Sequence, residues 1–162
     1  MLEKFAAYGF QVMVSGDWRI EFNAKNKRER GDVVFHTPKN NLFFVSWGKL
    51  EDAQRKFHTV GEQRDETVKR IKRNPNVMEV KMDDDASESI GGHEALLSHV
   101  VARGRRGFLS GPARNEEVWS IHLHCPNAMR YYVIYMQVKA PDEYPDFKRE
   151  FLSAAKSLVC HG

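Results

Sequence analysis

Between Glu117 and Val138 the chain alternates apolar and polar residues in two runs, "EVWSIHLHC" and "MRYYVIYMQV", separated by Pro126-Asn127-Ala128. A period of two sends successive side chains to opposite faces of a strand, and a short turn-forming break folds one run back on the other. The stretch therefore demands an antiparallel hairpin with one face against a core. Trp119, Ile121, Leu123 and Cys125 mark the core face, and Val118, Ser120, His122 and His124 mark the other.

The rest of the chain extends the same plan. "GFQVMVSGDWRIEFN" reads as strand, turn at Ser15-Gly16-Asp17, and strand, with Trp18, Ile20 and Phe22 predicted to face inward. "DVVFHTP" and "NLFFVSW" follow as two strands. In the second, Phe43, Val45 and Trp47 oppose Leu42 and Phe44, as in a central strand packed on both faces. Alternation then stops. Phe57, Val60, Val68 and Ile71 fall near helical spacing, and Thr59 to Glu62 fits a capping box, so a helix is expected from Thr59 to Arg73, after a turn near Glu51 to Phe57. "NVMEVKM" is a predicted strand, "DDDASESIGG" a solvated loop and "HEALLSHVVAR" a strand. Tyr144, Phe147, Phe151, Ala155 and Leu158 form the stripe of a closing amphipathic helix, with Pro145 in its first turn.

Short turns between successive strands imply an antiparallel sheet, and helices that each bury one stripe must cover it. The expected class is α+β, a three-layer α/β/α sandwich forming a single domain over residues 1–162. The pattern of "GFQVMVSGDWRIEF", "SWG", "GGHEAL", the "W…RYYVIY" hairpin and the final helix resembles the PsbP-like fold. That superfamily includes an extrinsic subunit of photosystem II and a nuclear-import factor that binds the Ran GTPase. The resemblance implies a non-catalytic binding or assembly protein, and it carries no partner-binding residue over to this chain.

The net charge of +3 is too balanced to point to nucleic acid, and no apolar run approaches the roughly 18 residues that cross a bilayer. The amino-terminal stretch lacks the apolar segment of a signal peptide, so the expected location is cytoplasmic. The basic, glycine-rich segment Gly104 to Glu116, with Arg103 before it, concentrates Arg103, Arg105, Arg106 and Arg114 around Phe108. Guanidinium groups on such a segment suit carboxylate or phosphate, so it is the expected contact with an acidic protein or other anionic partner, joined by "KNKRER" (Lys25 to Arg30) into one basic patch. A protein partner is expected and no cofactor.

Two sets of residues are the candidates for a metal or redox role, although none is assigned one. His122 and His124 lie roughly 7 Å apart on one strand face, and His99 is the candidate third ligand. Cys125 and Cys160 are read first as free thiols, next as a disulfide, and last as ligands of a zinc ion shared with His161 and one further group. His93 is read as the hydrogen-bonded start of a strand.

Overall fold

The computed structural model describes residues 1–104, 115–139 and 141–161. In chain order the elements are β1 (Leu2–Ala7), β2 (Phe10–Ser15), β3 (Arg19–Phe22), β4 (Gly31–His36), β5 (Leu42–Lys49), α1 (Leu50–Lys56), α2 (Val60–Arg73), β6 (Val77–Ile90), β7 (His93–Gly104), β8 (Asn115–Cys125), β9 (Arg130–Val138) and α3 (Phe147–Lys156). Seven strands form one sheet in the order β3-β4-β5-β9-β8-β7-β6, and β1 and β2 form a separate pair. Every strand pairing is antiparallel.

Side-chain parity sorts the layers. Phe43, Val45 and Trp47 of β5, Trp119, Ile121 and Leu123 of β8, and Ile134 and Met136 of β9 are all buried on one face. The β1–β2 pair and α3 cover that face: Phe10 packs on Trp47, and Phe151 packs on Phe43. The opposite parity, with Ser46, Ser120, Tyr131 and Val133, faces α1 and α2 across a cleft. The molecule is thus an α+β sandwich with three layers, in which one outer layer is mixed, a β-hairpin beside α3.

The predicted hairpin is β8–β9, closed by a single 3₁₀ turn at Pro126–Ala128 and by Met129 in the left-handed region at φ 54°. The predicted cap also forms. The Thr59 hydroxyl accepts from the Glu62 amide at 3.1 Å, while the Glu62 carboxylate accepts from the amide of His58 instead of Thr59, at 2.8 Å. The closing stripe is buried at all five positions.

Three local expectations are corrected. The turn at Ser15–Asp17 does not close a hairpin: β2 pairs with β1, and β3 pairs with β4 as the edge of the large sheet. At that edge Ile20 and Phe22 are exposed, and only Trp18 is buried. "DDDASESI" is not a loop, because β6 runs through it to Ile90 and pairs with β7 across two register shifts. It is an edge strand, where the backbone ladder alone sustains a polar sequence. Pro145 precedes α3, which starts at Phe147 after a 3₁₀ turn at Pro141–Glu143.

Candidate functional site

At the end of the sheet where β6 turns into β7, four potential ligands converge. Gly91 and Gly92 both take positive φ, 57° and 81°, which allows the two-residue reversal that starts β7 at His93. Ala95 pairs with Leu123, so extending the same register by two residues sets His93 opposite Cys125, the last residue of β8. The third contributor is the tail beyond α3. Val159 exchanges two backbone hydrogen bonds with Gln11 of β2, both 2.9 Å, and the Tyr132 hydroxyl donates to the Cys160 carbonyl at 3.3 Å. These contacts seat Cys160 and His161 over the strand ends.

The result is a cluster of His93, Cys125, Cys160 and His161 whose ligand atoms all lie within 4.8 Å of one another. Cys125 Sγ is 3.5 Å from His93 Nε2 and 3.4 Å from His161 Nδ1. Cys160 Sγ is 3.2 Å from His161 Nδ1, and the two imidazole nitrogens are 3.4 Å apart. Both cysteines are free thiols and both are buried. Burial, then the neighbouring Cys125 thiol, raises the Cys160 pKa, so without a counter-charge it stays protonated. Cys160 and His161 also line a recess of about 560 Å³ that includes Arg28 and Arg130.

A second feature lies on the other face of the sheet. A cleft of about 540 Å³ runs between the helices and the strands. Ala53, Phe57 and Ile71 line it from the helical side, and Val118, Val133, Tyr131 and Tyr135 line it from the sheet. Arg70, Lys56 and Glu66 are also in its lining. Ala102 and Glu116 reach it from the strand ends that lead into the Arg103–Arg114 segment.

No protein-family model and no curated protein matches this sequence. Solved structures do match in fold. The Ran-binding protein Mog1p of Saccharomyces cerevisiae superposes with a TM-score of 0.65 at 9% identity, covering 99% of this chain and 96% of that one. A protein of unknown function from Pseudomonas aeruginosa gives 0.55 at 11% identity, over 93% and 91%. PsbP of the cyanobacterium Synechocystis gives 0.53 at 10% identity, over 97% and 91%. The chain has the PsbP/Mog1-like fold.

The PsbP/Mog1-like sheet separates the histidines that the sequence grouped. His99 pairs in register with Trp119, so it shares the face of Trp119 and not that of His122 and His124. There it stacks on Trp119 at 4.1 Å and meets the Glu117 carboxylate at 2.6 Å. On the opposite face His122 Nε2 lies 3.2 Å from Thr67 Oγ1, and His124 Nε2 donates to Gln63 Oε1 at 2.9 Å. Each ring is thus held by its own partner, and the three do not form a ligand set. His93 takes the place the sequence left open beside Cys125, Cys160 and His161, and the Gly-Gly turn that delivers it was the available signal.

Arg103 is exposed at the end of β7, while Arg105, Arg106, Phe108 and Arg114 lie outside the described residues. Of the expected basic patch, Lys25–Arg30 and Arg103 are among the described residues. Lys25–Arg30 leads into Gly31, which lies in the row of Trp47, Tyr132, Leu123 and Ala95, whereas Arg103 lies eight residues further along β7. At roughly 3.3 Å per residue that is about 26 Å, so Lys25–Arg30 and Arg103 sit at opposite ends of the sheet.

Burial holds the His122 pKa down to about 4, with Arg64 and then His124 adding to the effect. The unfolded chain takes up a proton near 6.5, and the folded one does so only near 4. The neutral ring's contribution is therefore complete above pH 6.5 and is lost as pH falls toward 4. Between pH 7 and pH 5 the loss is about 2 kcal/mol. Urea denaturation at the two pH values is expected to show this difference, and His122→Gln is expected to remove most of it.

Proposed function

We propose that the chain is a non-catalytic binding module that engages an anionic protein partner from the cleft side of the sheet, with the Arg103–Arg114 segment at the rim. The observation that carries the reading is the cleft itself. Its volume is that of a binding site, and its lining mixes apolar walls with many polar and charged groups, Lys56, Arg70, Asp52 and Glu66 among them. Ala102 and Glu116 connect its lining to the strand ends that bear the arginine-rich segment. Guanidinium groups there would draw a carboxylate-rich surface toward the apolar walls. The fold adds support, since the yeast neighbour of similar architecture is named for binding the protein Ran.

The test compares the protein with two variants as immobilised bait. Arg105→Glu/Arg106→Glu reverses the charge of the arginine-rich segment, and Val118→Arg fills the cleft. Wild-type protein is expected to retain an acidic protein at low salt and release it at high salt. Both variants are expected to lose it while their thermal unfolding stays unchanged. Retention by the charge-reversed variant removes the arginine segment from the reading, and retention by Val118→Arg removes the cleft.

A further inference from the structure

We infer that His93, Cys125, Cys160 and His161 form a zinc site that fastens the carboxy-terminal tail to the sheet. The inference is independent of the binding reading above, because the cluster and the cleft lie on different parts of the molecule.

The geometry is the first argument. A tetrahedral zinc ion with Zn–S near 2.3 Å and Zn–N near 2.0–2.1 Å sets its ligand atoms roughly 3.3–3.8 Å apart. The separations here are 3.2, 3.4, 3.4 and 3.5 Å for four of the pairs, and no pair exceeds 4.8 Å. The donor set is the second. Two sulfurs and two imidazole nitrogens in a tetrahedral array select zinc over the hard cations that prefer oxygen. A disulfide between the cysteines would account for the sulfurs but leave two imidazole nitrogens aimed at the same point.

Charge is the third. Binding replaces the two thiol protons, so two protons leave for each ion bound, and a zinc dication with two thiolates is neutral overall. A neutral assembly is compatible with Cys125 and Cys160 at 0% and 1% exposure. Four protein ligands leave no open position, which is the pattern of a structural and not a catalytic zinc site.

The cluster lies where the β6–β7 turn meets the tail beyond α3. A side chain at Gly91 would bring its Cβ to 3.3 Å from the Leu158 carbonyl and 4.0 Å from Cys160 Sγ, so the turn and the tail are in contact. Beyond Leu158 the tail is anchored by the short Gln11–Val159 bridge and the Tyr132 hydroxyl. An ion held by residues from the β6–β7 turn, the end of β8 and the tail would join three remote segments.

The full chain, reduced and stripped with a chelator, is titrated with cobalt(II) and separately with zinc(II). Expected are one ion per chain, the intense visible bands of tetrahedral cobalt with a thiolate charge-transfer band, and displacement of cobalt by zinc. Native mass spectrometry is expected to show a gain of about 63 Da, one zinc less two protons. Cys125→Ser and His161→Ala are expected to weaken uptake at least tenfold, and His124→Ala to leave it unchanged. Because His161 is only half-buried, its variant keeps the result readable if Cys125→Ser does not fold. No uptake by the reduced protein overturns the inference, and so does uptake that survives His161→Ala. A chain 2 Da light that reductant restores, with no metal bound afterwards, would replace the site with a disulfide.

Discussion

Phe43→Ala is expected to lower unfolding free energy by about 3–5 kcal/mol, the range for a large aromatic side chain truncated in a packed core. Phe43 is fully buried on β5. Its ring meets Trp18 at 5.3 Å, Phe35 at 5.7 Å and Phe151 at 6.2 Å. The contacts come from the turn after β2, from the neighbouring strand β4 and from α3, so one ring joins the sheet to α3 and to that turn. No single neighbour can move in to fill the space without giving up its own contacts. A domain of this size is usually stable by about 5–15 kcal/mol, so the variant should unfold at markedly lower denaturant or not accumulate. Guanidinium denaturation checks it, with Phe43→Leu as a partial truncation expected to cost less than Phe43→Ala. A loss below 1 kcal/mol for Phe43→Ala would mean that the aromatic cluster repacks.

Arg130→Met is expected to cost about 3 kcal/mol, through lost hydrogen bonds instead of lost volume. Arg130 is buried at 6% exposure, and among the described residues no carboxylate is a hydrogen-bond partner. Its guanidinium donates to the carbonyls of Tyr8 at 2.5 Å, Arg28 at 3.0 Å and Gly9 at 3.3 Å. Tyr8 and Gly9 are the β1–β2 turn, both at positive φ, and Tyr8 stacks on Trp47 at 5.0 Å. One side chain on β9 therefore holds the turn of the outer hairpin and the loop before β4 at once. Methionine keeps the apolar stem and leaves three carbonyls without a donor. Arg130→Lys is expected to recover less than half, because an ammonium is a point charge and cannot present the planar fork. Equilibrium denaturation of the three proteins decides it. A Met variant within 0.5 kcal/mol of wild type would show that water from the adjoining recess replaces the guanidinium.

Much of the architecture could be read from single segments. Phe43, Val45 and Trp47 alternate with Leu42 and Phe44, and the structure keeps that parity. The β8–β9 hairpin, the helix begun at Thr59 and the stripe from Tyr144 to Leu158 were legible for the same reason: each pattern reports which side of one element is dry. β1 was not legible, because "LEKFAA" buries only Phe5 among its six residues and so shows no alternation. Nor was the full length of β6, whose polar residues at an edge carry no signal of strand.

The candidate site divides along the same line. Its chemistry stands in the sequence: Cys125 at the end of a core-facing run, and Cys160 beside His161 after the last helix. That His93 completes the group, and that His99 stands apart from His122 and His124, depends on register. A shift of one residue moves a side chain to the other face, and no local pattern records which strand lies beside which. Periodicity is a property of a few consecutive residues, so composition and order suffice to set it. Register, the β1–β2 pairing and the return of the tail over the strand ends are long-range choices, made only when the whole core packs at once.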